Sequence, residues 1–396
     1  MKKYWKTICI SILIVAIISS YYIQKTAMAS KNDRSFKIET ISGNKEEIEN
    51  LILQTSYKSN DFYHMLYISK DGSTNPNNQS FFRDLIAPNG PRILQKYIDE
   101  HRKFMRGKEL DPRKYFEDKT RLIYTTFLDD GRRGGWGDVQ IDTLDKNTNE
   151  SSSFKIHMPV QTSYDWINMK DVYVGDGKIN ILTTNYPING GEELHIYTID
   201  DNKKRLVKDS ILAKFMMEER GSSSIRIFNE NNMIQNENYY LYMVEKYSDR
   251  KEDSEAEVIS SQIYLYNNAN NEVEEWVIPE ELKPYRKATL IHEETIFIPV
   301  YSVNGLKLHR YHIEKKQWEE PLIIPYSSIT SENDASFLRI TEGKFYLVYR
   351  VSDGQWLSIG DLKTGELIYE GKIISEDKKN QEADSSLTIE QLYTQH

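Results

Sequence analysis

Apolar and polar residues alternate with a period of two through most of this chain, the signature of half-buried strands. The pattern is clearest at Leu308–Pro325, LHRYHIEKKQWEEPLIIP, which reads as a short strand, a polar turn, a second short strand and a proline. The same unit recurs. Anchored on the apolar residue that closes its first strand, it appears at Leu144, Ile199, Tyr266, Ile313 and Leu362. The turns that follow are Asp145–Glu150, Asp200–Lys204, Asn267–Glu272, Glu314–Gln317 and Lys363–Glu366. Asn, Asp, Lys and Gly in these turns suit the positive φ that a tight hairpin needs. Pro159, Pro279 and Pro325 close three copies; proline cannot donate to a sheet ladder and suits a strand exit.

The anchors lie 55, 67, 47 and 49 residues apart, and periods of about 40–50 residues mark propeller blades or similar arrays. The longest interval holds Tyr247–Ser261, a highly charged stretch expected as an exposed loop. A second half-repeat precedes the hairpins. Asp171–Thr184 and Leu338–Val351 each read strand, glycine turn, strand, and Asn238–Lys246 and Leu290–Val300 share their apolar density. Four short antiparallel strands per repeat make a propeller blade. The expected fold is all-β, a β-propeller of six or seven four-stranded blades over residues 30–374. The rival is two stacked β-domains parted near Ser151 or Ser248.

Phe36–Ile41, Phe62–Ser69 and Leu122–Leu128 read as further strands, while Ile48–Tyr57 fits helix and strand equally. One segment departs from the strand pattern. Pro91–Arg106 places Ile93, Leu94, Tyr97, Ile98, His101, Phe104 and Met105 at helical spacing. With stop signals at Pro88-Asn89-Gly90 and Gly107, it predicts one helix, inserted within about residues 88–117. Residues 375–396 turn polar and predict a flexible tail, with Thr388–Leu392 as a turn of helix.

The N-terminus changes the picture of location. Met1–Lys6 is basic and Thr7–Ile23 is almost wholly apolar, as in a signal peptide or signal anchor. Ala27-Met28-Ala29 offers a small-x-small cleavage pattern before Ser30. Thr7–Ile23 is also at the short limit for crossing a bilayer. The expected location is extracytoplasmic: secreted, or held on the outer face of the cytoplasmic membrane by residues 7–23. Loss of residues 1–29 removes Lys2, Lys3, Lys6 and Lys25 and takes the net charge from −9 to −13. Such an acidic domain is a poor partner for nucleic acid, whose phosphates need clustered Lys and Arg. The only cysteine, Cys9, lies in the apolar run. An exported domain then has neither thiol nor disulfide, and core burial and sheet closure must hold it.

Candidate chemistry is sparse. Asp129–Asp138, DDGRRGGWGD, is the most unusual stretch. Its glycines let backbone approach a ligand closely. Arg132 and Arg133 suit an anion, bound bidentately. Trp136 suits a sugar face, and Asp138 completes the candidate binding set. The plain alternative is a solvated hairpin loop between Phe127 and Val139. Asp145, Asn147 and Asn149 place oxygens at alternate positions, as calcium loops do, but Glu150 and Ile156 stand where such loops need Gly and Glu. The polar turn Asn267–Asn271 recurs at the same place in another repeat, so a repeated turn explains both, and no metal is expected. His309 and His312, three apart on a strand, point to opposite faces. His292-Glu293-Glu294 lacks the second histidine of a helical zinc motif. There is no G-x-S-x-G elbow and no phosphate-cradling glycine loop. Adjacent carboxylates such as Glu218-Glu219 and Glu319-Glu320 face apart on strands. No catalytic residue is identified and no cofactor is expected.

Ser352-Asp353-Gly354-Gln355-Trp356 is similar to a shortened Asp box, the turn of sialidase-type propellers. It departs from that pattern in spacing and occurs once, and the arginine-bearing strand motif of sialidases is absent. In that family the box is structural. The resemblance therefore implies a propeller-like turn and not glycosidase activity. In organisation the chain also resembles exported proteins of Gram-positive bacteria: a basic-apolar N-terminus, a cysteine-free ectodomain and Lys/Asn/Glu-rich turns. That implies a place outside the membrane and no particular reaction. The expectation is a non-enzymatic binding or sensing module whose partner is a cell-envelope protein or glycan, touching the membrane only through an uncleaved N-terminal segment. The alternative is a carbohydrate-active enzyme with its site in a propeller channel, where carboxylates from different blades converge without a sequence motif.

Overall fold

The computed structural model describes residues 35–59, 62–76, 92–129, 136–158, 164–216, 222–229, 238–248, 257–302, 305–325, 335–351, 354–376 and 387–394, with residues 5, 10–17, 19, 20 and 234. Strand β1 (Phe36–Gly43) leads through a 3-10 turn at Lys45–Ile48 into β2 (Leu51–Ser59), β3 (Phe62–Ser69) and β4 (Gly72–Thr74). Helices α1 (Arg92–Glu100) and α2 (Arg102–Met105) follow. Then come β5 (Tyr115–Glu117), β6 (Arg121–Asp129), β7 (Trp136–Asp145) and β8 (Ser151–His157), and β9 (Tyr164–Gly175), β10 (Lys178–Pro187), β11 (Gly191–Asp200) and β12 (Arg205–Met216). Next are β13 (Ser222–Ile227), β14 (Tyr239–Tyr247), β15 (Val258–Asn267) and β16 (Glu272–Glu275). A 3-10 segment at Glu280–Ala288 precedes β17 (Leu290–His292), β18 (Thr295–Ser302), β19 (Gly305–His312) and β20 (Gln317–Ile324). The described chain ends with β21 (Ala335–Thr341), β22 (Lys344–Val351), β23 (Gly354–Asp361), β24 (Leu367–Ser375) and β25 (Leu387–Thr394).

These strands form six antiparallel sheets, five of four strands and one of five. Four are meanders of sequential strands and two take in a strand from far along the sequence; each is the blade of a β-propeller, so the fold is all-β and the expected six or seven blades resolve to six. All five repeat anchors close, or directly follow, the third strand of a sheet. The turn after each carries one left-handed residue: Asn149, Lys204, Asn271, Lys316 and Gly365. Inner strands are covered on both faces, and polar residues such as Thr183 and Asn185 are buried there beside apolar ones. β10 and β22 are buried along most of their length. Edge strands are polar: β16 is exposed throughout and β8 opens on three exposed serines. Such edges discourage pairing with another chain.

The chain divides into two compact units, residues 1–89 with 301–307 and 323–396, and residues 90–300 with 308–322. Neither Ser151 nor Ser248 is a boundary; both lie inside the second unit. In the first unit the two chain ends complete each other's sheets. β1 pairs with β24, and β25 pairs with β2 in the order β25-β2-β3-β4. Gly43 ends β1 at φ +86°, where an added Cβ would sit 2.2 Å from the Ile368 carbonyl oxygen. Only glycine fits there. The first unit's core gathers Phe36, Leu53, Leu66, Val348, Leu357 and Ile373 with Leu387, Ile389 and Leu392 from β25.

Three sequence expectations change. The predicted tail contains β25, a strand where a helical turn was expected. Its alternate residues Leu387 and Ile389 are buried beside β2, burial worth about 1.5–3 kcal/mol per side chain. The predicted helix is two helices, broken at His101, whose φ of −126° and ψ of 42° are non-helical. Leu94, Tyr97, Ile98, Phe104 and Met105 are nonetheless buried, as the helical spacing requires. The expected charged loop is shorter: Val258–Ser261 already belong to β15, and residues 249–256 lie outside the described residues. Residues 10–17 are helical, and among the described residues no helix is long and apolar enough to cross a membrane.

Candidate functional site

Only part of the sequence-predicted binding loop lies within the described residues. Arg132 and Arg133 lie outside the described residues, as does the side chain of Trp136. Trp136 opens β7, paired with Asp129 of β6. Asp138 sits opposite His157 of β8, with its Oδ1 3.0 Å from His157 Nδ1. His157 is 78% exposed, so this is a surface pair of the kind that contributes little. Ser352 and Asp353 of the Asp-box-like turn are likewise outside the described residues; Gly354 opens β23 at φ +133°. The calcium-like loop is an Asx turn. Asp145 Oδ1 accepts from the backbone N–H groups of Asn147 (2.8 Å) and Thr148 (3.0 Å), and Asp361 does the same for Lys363 and Thr364. Turn formation alone accounts for the alternating polar residues.

Among the described residues, a concavity lies in the second unit, between two of the repeated turns. A cleft of about 710 Å³ is lined by Tyr239 of β14, Leu265 of β15, the β15–β16 turn with Glu272 and Glu274, and Ile313, Glu314 and Lys316 of the β19–β20 turn. The strand period sets its floor: Tyr239, Leu265 and Ile313 belong to one apolar cluster. The turns set its walls. Asn267 caps its own turn by accepting from the Ala269 N–H at 2.8 Å, and Asn271 and Lys316 take the left-handed conformation. Asn270 donates from Nδ2 to Glu272 (2.7 Å), and Lys316 reaches across to Glu274.

Charge in the cleft is unbalanced. Glu272, Glu274 and Glu314 face one lysine. The Tyr239 phenol is raised by burial and then by the negative charges of Glu314, Glu294 and Glu274. The Lys316 ammonium is held above its ordinary pKa by its hydrogen bond and attraction to Glu274. In the same apolar cluster, Trp276, Tyr311 and Trp318 form a mutual aromatic triad with ring centroids 5.4–5.9 Å apart. The Tyr311 phenol is raised by burial and by Glu274. The buried indole N–H of Trp276 has no hydrogen-bond partner among the described residues. A polar-walled cleft of this volume with an apolar floor is suited to holding a ligand.

A second polar cluster, on the sheet of β9–β12, went unnoticed in the sequence. His195 of β11 is 1% exposed and sits between two carboxylates: Nδ1 is 2.7 Å from Asp209 and Nε2 is 2.9 Å from Glu193. Tyr164 donates to Glu193 at 2.7 Å, and Lys214 pairs with its other oxygen at 2.8 Å. Burial alone would raise the Glu193 carboxyl, but hydrogen bonds from Lys214, Tyr164 and His195 outweigh it and take it down to about 2. Burial likewise lowers the His195 imidazole, yet Asp209 and Glu193 leave it above its ordinary value. Nearby, Thr183 donates to Asn185 and Asn185 to Tyr197, each at 2.7 Å, and His195 stacks on Tyr197. His195 and Glu193 are buried within this network, and Asp209 and Lys214 carry it towards the surface, with side chains 22% and 51% exposed. The one sequence signal was Glu193-x-His195-x-Tyr197, since alternate residues on a strand share a face.

No protein-family model matches the chain, and no curated protein does. Among solved structures, the β-propeller domain of the Trilobed protease from Pyrococcus furiosus, described as having an open velcro topology, is similar at 13% identity over 84% of this chain and 84% of its own, with a TM-score of 0.28. The Dos1 propeller is similar at 11% identity over 68% of this chain and 60% of its own, with a TM-score of 0.30. The polysaccharide lyase Uly1 is similar at 10% identity over 80% of this chain and 70% of its own, with a TM-score of 0.37. These likenesses carry no statement about ligand or chemistry.

Proposed function

We propose that this protein is a non-enzymatic binding or sensing module of the cell envelope, working outside the cytoplasmic membrane. Its ligand is a cell-envelope glycan or protein segment held in the cleft between the β15–β16 and β19–β20 turns. The observation that carries the reading is the cleft itself: about 710 Å³, with an apolar floor and carboxylates left in excess of cations. Carboxylates and amides on its walls accept and donate hydrogen bonds, as hydroxyl- and amine-bearing ligands require. The basic-apolar N-terminus supports export.

Co-sedimentation of the full-length protein, in mild detergent, with purified cell wall tests the reading. Titration with soluble peptidoglycan fragments and mass spectrometry of those fragments afterwards complete it. Saturable binding that Glu272→Gln/Glu314→Gln weakens at least tenfold, with the fragments chemically unchanged, is expected. New reducing ends would favour a carbohydrate-active enzyme instead. Binding indifferent to the double variant would remove the cleft from the account. Export has its own test: N-terminal sequencing of cell-associated and secreted protein, with either a Ser30 N-terminus or intact membrane-bound chain expected outside the cytoplasm.

A further inference from the structure

A second, smaller concavity has the opposite charge. It lies where β13 ends and where the 3-10 segment Glu280–Ala288 hands over to β17. A cleft of about 320 Å³ is lined by Arg226, Ile227, Phe228, Lys287, Ala288, Thr289 and Leu290. The chain as a whole carries −9, yet this wall is cationic. Arg226 and Lys287 line it, and Lys287 shares the carboxylate Glu245 with Arg286.

Glu245 is 2% exposed and its hydrogen-bonding capacity is taken up. It accepts from Tyr247 (2.7 Å) and Arg286 (2.9 Å), and Lys287 Nζ lies 3.3 Å from its Oε2. Arg286 is fixed further by Ser261 Oγ and the Lys283 carbonyl, both at 3.1 Å, so it is a strut and not a free donor. Lys287 shares Glu245 from a longer distance and its side chain is half exposed. Arg226 is different. It is exposed, its guanidinium lies 5.6 Å from the centre of the buried Phe228 ring, and it has no carboxylate partner among the described residues. Counting these groups alone, three cations face one carboxylate.

The scaffold beneath Arg226 is rigid. The Phe228 N–H donates to the Leu241 carbonyl at 2.9 Å. The Asn229 amide, in turn, donates to the Tyr239 carbonyl and accepts from the Leu241 N–H, both at 2.8 Å. On the other wall Thr289 is 3% exposed, with its hydroxyl donating to the Arg286 carbonyl at 2.7 Å. A guanidinium laid on an aromatic face keeps its in-plane N–H fork free, and that fork matches the paired oxygens of an oxyanion.

We infer that this cleft is an oxyanion site for a phosphate group, with the fork of Arg226 and the Lys287 ammonium as its ligands. The site is separate from the acidic cleft and does not depend on it. Its volume leaves room for one tetrahedral group and a short substituent, so the phosphate is either free or the exposed group of a small phosphoester. Lys287 lies 3.3 Å from Glu245 against 2.9 Å for Arg286, so it can turn to the ligand while Arg286 stays on the carboxylate.

The test is calorimetric titration of the full-length protein with inorganic phosphate, and separately with glycerol phosphate, at constant ionic strength set with chloride. One saturable site for phosphate is expected. Arg226→Gln should weaken it at least tenfold, with melting temperature in phosphate-free buffer unchanged, and Lys287→Gln severalfold. Tighter binding of glycerol phosphate assigns a phosphoester ligand, and equal or weaker binding assigns free phosphate. No saturable heat with either probe, or binding that Arg226→Gln leaves intact, would overturn the inference. A variant that melts early is replaced by Arg226→Lys, which keeps the charge and loses the fork, and the same loss of affinity is expected.

Discussion

The His195 network and the acidic cleft are built from the same residue types and behave as opposites. Each combines glutamate, tyrosine, asparagine and one lysine on β-sheet scaffolding. In the network, strand register stacks the charges inside a sheet, and each acid meets a donor within 3 Å. In the cleft, two turns of adjacent repeats hold three carboxylates against one lysine, on walls that open to solvent. A saturated buried network specifies structure, because removing one partner strands the others in a low dielectric. An unsaturated open cluster contributes little to stability and keeps its hydrogen-bonding capacity for something else. The contrast separates scaffold from site without any appeal to resemblance.

The largest expected effect comes from breaking the network. His195→Ala leaves Glu193 and Asp209 without their shared cation and should destabilise the fold by about 3–5 kcal/mol, read as a shifted denaturation midpoint. Acidity should trace the same network. His195 is raised above 6.5, so its contribution is fully present below that value and is lost as pH rises through its folded pKa. Glu193 is lowered to about 2, so its contribution is present above 4.5 and is lost as pH falls towards 2. The network is therefore strongest between about pH 4.5 and 6.5. Midpoints at pH 3, 5.5 and 8.5 should form a peak in the wild type that His195→Gln flattens on its alkaline side. The smallest effect belongs to the cleft: Glu272→Gln/Glu314→Gln should change stability by no more than about 0.5 kcal/mol while abolishing most binding. A large loss of stability there would erase the distinction.

Much of the fold was legible because turn chemistry is local. Asp145, Asn267 and Asp361 cap their own turns, and a left-handed residue follows each, so five third strands could be located from sequence alone. β25 was not legible. Its partner β2 lies more than three hundred residues away, with Leu51 opposite Thr394, and a polar stretch precedes it. Pairing at that distance leaves no local mark. The same reason hid both polar clusters. Glu193 and His195 share a strand face, but Asp209, Lys214 and Tyr164 arrive from neighbouring strands through register. Glu272 and Glu314 were visible as turn residues and Glu274 was not, and only folding sets the two turns facing one cleft. The glycine-rich loop drew attention by composition, yet of its four candidates only Asp138 has a described side chain, and that one pairs with His157.

Hydrogen–deuterium exchange of the full-length protein, with and without soluble peptidoglycan fragments, sets the two regions against each other in one experiment. The account predicts slowed exchange in peptides covering residues 264–276 and 311–318, no change in 193–200 or 205–214, and fragments recovered intact. Unchanged exchange at the cleft, or fragments recovered cleaved, would contradict it.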